Sequence, residues 1–106
     1  MVRGDVHEVT LRRRRGGRVQ HARRFAVIVQ ADELLALSTV VVCPTSTSTP
    51  AASFHPEVEV AGTGTRVMCE MVGAIHVEAL GPHVGHLTLD EQRRVDDALE
   101  LVLSLG

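Results

Sequence analysis

The chain has no tryptophan, no tyrosine and no lysine, and only two phenylalanines, Phe25 and Phe54. Its core must therefore be aliphatic, and binding that relies on stacking bases over aromatic platforms is disfavoured. Two cysteines, Cys43 and Cys69, are too few for a disulfide scaffold. Both sit in apolar runs and read as reduced, buried thiols. No apolar run approaches the ~18–20 residues that a membrane span needs. The N-terminus lacks the charged-then-apolar pattern of a secretory signal, so a cytoplasmic protein is expected. At 106 residues and 44% hydrophobic content, a disordered chain is excluded and one domain over residues 1–106 is expected, with a modest core.

What the chain does have is arginine, unevenly placed. Seven of its eleven arginines lie between Arg12 and Arg24, in the run RRRRGGRVQHARRFAVIV that ends at Val29. Residues 1–24 carry eight arginines against two acids, a net +6; the remainder carries three against eleven, a net −8. The small overall charge thus hides a bipolar molecule. The arginine segment reads as a flexible cationic loop between strands, placed to meet something anionic.

Along the chain, Asp5–Leu11 has an imperfect period-2 pattern and predicts a strand with one wet face. Phe25–Val29 is a fully apolar strand, and Ala31–Leu37 a short helix with acids in its first turn. Ser38–Cys43 reads as a second buried strand stopped by Pro44, with Thr45–Ser53 as a loop. Glu57–Val60 alternates as an exposed strand would, and Gly62–Gly64 marks a turn. Arg66–Val72 predicts another strand, which would place Glu70 amid apolar side chains. Val84–Leu87 adds a short strand. Thr88 and Glu91 fit a capping box. They open a helix over Leu89–Leu103 whose apolar stripe is Val95, Ala98, Leu99, Val102 and Leu103. Mostly sequential short strands and a terminal helix predict a mainly β, α+β fold, a small partly closed barrel.

Four groups of residues carry chemistry. Guanidinium groups pair bidentately with phosphate oxygens, so the arginine-only basic segment suits a nucleic-acid backbone, and a solvated charged loop is the competing reading for Arg12–Arg15. Arg23 and Arg24 abut the buried strand, which gives a charged group a rigid base. Thr45 and Ser46 follow a buried strand at a proline and can hold phosphate oxygens, or simply cap a turn. Glu70 is expected to pair with an arginine or to act as acid or base, and a structural ion pair fits it equally well. His21, within the basic segment, could shuttle a proton near neutral pH. His83-x-x-His86 is the best metal-like spacing but lacks an adjacent acid or thiolate, so no metal is expected. Gly16-Gly17 has neither P-loop nor dinucleotide spacing, and no nucleotide cofactor is expected.

Taken in order, these segments resemble the MazF/PemK/Kid family of toxin endoribonucleases. The carriers are Arg3-Gly-Asp-Val6, the strand Arg23-Arg-Phe-Ala-Val-Ile-Val29, Val40-Val-Val-Cys-Pro-Thr-Ser46, Glu70-Met-Val72, and His86-Leu-Thr-Leu-Asp-Glu91 with the helix that follows. The resemblance implies an SH3-like barrel, a homodimer, and metal-independent cleavage of single-stranded RNA. Attack by the ribose 2′-OH would leave a 2′,3′-cyclic phosphate and a 5′-OH. It also implies a cognate MazE-like antitoxin with an acidic segment. By position, Arg24, Glu70, Thr45 and Ser46 would be catalytic, and Arg15, Arg18, His21 and Arg23 would bind RNA. The chain departs from the family pattern at Val19, Phe25, Met71 and Gly73. The alternative is a binding module of the same fold, or a toxin acting on a protein such as gyrase.

Overall fold

A computed structural model describes residues 1–15 and 18–105, with side chains described for 1–9 and 24–105. Seven strands and one helix follow in chain order: β1 (Asp5–Arg15), β2 (Arg18–Ile28), β3 (Thr39–Ser46), β4 (Glu57–Val60), β5 (Thr63–Val67), β6 (Gly73–His76), β7 (Leu80–His86) and α1 (Leu89–Leu103). The sheet runs β4-β5-β3-β2-β1-β7, with β6 also on β3. It curls into a partly closed barrel with the helix at its C-terminal end, the mainly β fold expected.

Strand β3 is the hub. One edge pairs with β2 from Ala26↔Pro44 to Ile28↔Val42. Its early residues also pair with β6, from Thr39↔His76 to Val42↔Gly73, and its late ones with β5, at Thr45↔Val67 and Ser46↔Arg66. Such a strand lies inside the sheet and buries Val40, Val42, Cys43 and Thr45, which suits its run of β-branched residues. Alternation along the strands sorts the core into two clusters. Val6, Val27, Cys43, Val67, Cys69 and Leu87 face α1, packing on Val95, Ala98 and Leu99. Val9, Ala26, Ile28, Val40 and Val42 form the other, against Leu35, Ile75, Val77 and Leu80. The valine, leucine and isoleucine side chains among these each stabilise by about 1.5–3 kcal/mol when fully buried.

The terminal helix matches its sequence signal. The Thr88 hydroxyl accepts from the Glu91 amide at 3.1 Å, and Glu91 Oε1 accepts from the Thr88 amide at 2.8 Å. Leu103 departs from the expected stripe and is 49% exposed, because the helix has by then run past the sheet. The β4–β5 hairpin turns at Ala61 and Gly62, both at positive φ (51° and 82°), as a tight two-residue turn that follows the sheet twist demands.

Five expectations need correction. The arginine segment is not a loop: β1 and β2 stay paired from Val6↔Val27 out to Arg15↔Arg18. Ladder hydrogen bonds need only main chain, so a run of arginines can pair as strand. The helix over Ala31–Leu37 shrinks to a single 3-10 turn, Asp32–Leu34. Seven residues are too few to repay nucleation, and Gln30 takes both the Leu34 carbonyl (2.7 Å) and the Val41 amide (3.0 Å).

Pro44 does not stop β3, which continues through Ser46. Its carbonyl accepts from the Met68 amide at 2.8 Å, so the ladder proceeds one bond short. That missing bond also explains why the strand expected over Arg66–Val72 ends at Val67. Pro44 has no N–H to offer the Met68 carbonyl, which accepts instead from Met71 at 3.0 Å and closes a 3-10 turn over Cys69–Met71. The C-terminal strand is longer than the pattern over Val84–Leu87 suggested, and β6 carried no alternation that would have marked it.

Candidate active site

Strands β2, β3 and β5 curl around a cavity of about 260 Å³ lined by Arg24, Phe25, Thr45, Ser46, Thr47, Ser48, Val60, Thr63 and Thr65. Each lining residue has a local reason to be there. Arg24 sits in β2 opposite Val9 and is half-buried, so its stem is held by the sheet. Thr45 is 4% exposed, and its hydroxyl donates to the Phe25 carbonyl at 3.4 Å, tying β3 to β2 at the cavity wall. The Ser46 hydroxyl lies 3.2 Å from that of Ser48 and accepts from the Ser48 amide at 3.3 Å. The result is a guanidinium beside a row of hydroxyls, with no carboxylate in the lining. Such a donor-rich cup suits a phosphodiester oxygen and repels nothing anionic.

The structure therefore brings Arg24, Thr45 and Ser46 together, but Glu70 does not line that cavity. Nor does Glu70 lie inside a strand. It sits in the 3-10 turn after β5, with a side chain 37% exposed, and its Oε2 is 2.6 Å from Nε2 of His55. It does not stand amid apolar side chains on a strand, and its partner is an imidazole rather than an arginine. Sequence reasoning missed His55. Its partner stands fifteen positions on, across β4 and β5, and no motif joins them. The side chains of Arg15, Arg18, His21 and Arg23 lie outside the described residues; their backbones belong to the β1–β2 hairpin.

His83 and His86 have an acidic partner after all, from the far end of the chain. Asp5 Oδ1 meets His86 Nδ1 at 2.8 Å and His83 Nε2 at 3.2 Å. Burial opposes the ionisation of Asp5, but the Val2 amide and the two imidazoles outweigh it and hold the carboxyl below its ordinary value. Among the described residues no group of three His, Cys, Asp or Glu is disposed to hold a metal ion. Cys43 and Cys69 are both fully buried free thiols. Hydrogen bonding to Cys69, together with burial, pushes the Cys43 thiol up. Among the described residues no helix is long and apolar enough to cross a membrane.

Comparison with known proteins bears on this site. Residues 2–103 match the family described as PemK-like, MazF-like toxin of type II toxin–antitoxin system. A Mycobacterium tuberculosis protein provisionally named a toxin is 35% identical over 106 residues, covering 99% of both chains. Among solved structures, a mycobacterial endoribonuclease in complex with its cognate antitoxin superposes with a TM-score of 0.80 at 18% identity, over 100% of this chain and 97% of that one. The M. tuberculosis toxin MazF-mt6 gives 0.78 at 19%, over 96% and 98%. A MazE–MazF complex from Deinococcus radiodurans gives 0.83 at 14%, over 100% and 97%. The structural likenesses establish the fold, and the family match over nearly the whole length establishes descent: this chain belongs to the PemK-like, MazF-like toxin family of type II toxin–antitoxin systems.

Proposed function

We propose that this chain is a sequence-specific endoribonuclease toxin that cuts single-stranded RNA without a metal ion and is neutralised by a cognate antitoxin with an acidic segment. The observation that carries this is the cavity in which Arg24 stands beside the hydroxyls of Thr45 and Ser46 with no carboxylate in the lining. The reaction takes a proton from the ribose 2′-OH, forms the O2′–P bond, and breaks the P–O5′ bond as a proton reaches the leaving oxygen. Charge builds on the non-bridging phosphate oxygens, where Arg24 stabilises it and Thr45 and Ser46 orient the group. Glu70 serves as the acid–base group from the neighbouring turn. The hairpin bearing Arg15, Arg18, His21 and Arg23 draws in the RNA backbone and is the natural docking surface for the antitoxin's acids. The working form is a cytoplasmic homodimer of one toxin domain per chain.

The test is cleavage of a single-stranded RNA by purified protein with EDTA present. Arg24→Ala is expected to slow the chemical step by about 10²–10³-fold, the cost of one strong transition-state donor. Products should carry 5′-OH ends. Intact RNA, with growth arrest unaffected by Arg24→Ala, would sink the reading in favour of a binding module or a protein-directed toxin.

A further inference from the structure

We infer that His55 is the positioning residue of Glu70: the two form an imidazolium–carboxylate pair that fixes where the acid points, a role that rests on the endoribonuclease reading. The charge state follows from the partners. His55 is 5% exposed. Its Nδ1 lies 2.8 Å from the Pro50 carbonyl and its Nε2 lies 2.6 Å from Glu70 Oε2. A carbonyl oxygen only accepts, so Nδ1 carries a proton; a carboxylate also only accepts, so Nε2 carries the second. A 2.6 Å contact belongs to the short, charge-assisted class. The hydrogen bond to Glu70 is the main cause that raises the imidazole above its ordinary value, against an opposing effect of burial and with help from the Pro50 carbonyl.

The surroundings hold the ring rigidly. The Phe54 ring meets it edge-on at 4.5 Å. The backbone on either side is pinned, by the Cys69 amide on the Phe54 carbonyl (3.3 Å) and the Val67 amide on the Pro56 carbonyl (3.0 Å). Among the described residues Arg66 also faces it, donating to the His55 carbonyl at 3.2 Å and working against the imidazolium. Glu57 stands 3.8 Å from the same guanidinium.

Glu70 needs such a tether. It has three free side-chain torsions and stands on a turn of three residues, 37% exposed. A proton-transfer group must lie roughly 2.6–3.2 Å from the proton it moves. Holding one carboxylate oxygen against a buried ring removes most of that rotational freedom while leaving the group reachable from solvent. The pair exists only while His55 is protonated. As pH rises through the raised imidazole value, Nε2 loses its proton and the tether goes.

The experiment compares wild type, His55→Ala, His55→Gln, Glu70→Gln and the double variant His55→Ala/Glu70→Gln in single-turnover cleavage of a short single-stranded RNA across pH. Folding is checked by circular dichroism. His55→Ala is expected to slow cleavage about 10²-fold, the scale of a misplaced catalytic group, with RNA affinity unchanged. His55→Gln keeps a donor and should recover part of that loss. The double variant should be no slower than Glu70→Gln alone, and the alkaline fall in wild-type rate should vanish in His55→Ala. Losses that multiply, or an alkaline fall that persists, would overturn the role. Imidazole ¹⁵N NMR reads the pair without RNA: both ring nitrogens should stay protonated through neutral pH, and Glu70→Gln should lower the titration. A ring already neutral below pH ~6.5, the ordinary histidine value, refutes the pair itself. An intact pair in a wild type that leaves RNA uncut refutes the endoribonuclease reading, and the positioning role falls with it.

Discussion

Glu91→Ala should be among the most damaging single changes on the helix, although the residue it removes is an acid near the surface. Glu91 is 9% exposed and uses both carboxylate oxygens. Oε1 accepts from the Thr88 amide and Oε2 from the Glu59 amide, each at 2.8 Å, so one side chain closes the capping box and also staples α1 to β4. A hydrogen bond to a charged group is worth about 1.5–3 kcal/mol. Both amides are only part-buried, so the lower end applies and the alanine variant should lose about 3 kcal/mol. Thr88→Ala removes only the forward half of the cap and should cost about 1 kcal/mol. Glu91→Gln keeps one acceptor oxygen and should fall between, near 1.5 kcal/mol. The Arg94 guanidinium, which donates to the Glu57 carbonyl, remains as a second tie between helix and strand. Urea unfolding followed by circular dichroism measures this directly, as a lower midpoint at constant slope. If Glu91→Ala cost no more than Thr88→Ala, the bond to Glu59 would contribute nothing and the staple would be wrong.

Other outcomes follow from features already described. The folded Asp5 carboxyl titrates below its unfolded value, so its contribution is present above about pH 3.9 and is lost as pH falls through the folded value. Asp5→Asn should remove that acid-side slope from a series of melts, and an unchanged slope would contradict it. In Gly81→Ala the new Cβ would meet the Glu8 carbonyl oxygen at 2.8 Å, backbone that cannot step aside. A loss of about 1–3 kcal/mol is expected in thermal melts, and an unshifted melt would refute the clash. The Cys43 and Cys69 thiols, both fully buried, should react with a thiol reagent only as fast as the protein unfolds. Rapid labelling of the native protein would overturn that.

What could be read from sequence divides along the range of the interactions involved. The helix over Leu89–Leu103 and its capping box depend on residues within a few positions of one another, and both stand as expected. The strand Glu57–Val60 does too, because alternation is a local signal. Arg24, Thr45 and Ser46 meet in one cavity because each lies at the end of an apolar strand run that the sheet aligns. Glu70 was misplaced because its surroundings depend on which residue of a distant strand, Pro44, lacks an N–H. Asp5 with His86, and His55 with Glu70, are contacts between separate elements, and composition or spacing has no term for them. The arginine hairpin is different. Gly16-Gly17 between two pairable runs is a hairpin signal, outweighed by the expectation that charge marks a loop.

Pro44 has a consequence beyond the ladder it interrupts. An imino nitrogen there sorts the following chain into two territories. Residues up to Val67 belong to the sheet, the turn over Cys69–Met71 answers to its own local bonds, and the sheet resumes with β6 at Gly73. Thr45 and Ser46 are therefore carried by the rigid lattice, while Glu70 rides on a small platform that can be retuned without redrawing any strand register. The hydroxyls of Thr45 and Ser46 and the carboxylate of Glu70 are thus mechanically separate parts, and the partner of that carboxylate, His55 here, can change while the wall of hydroxyls stays as it is.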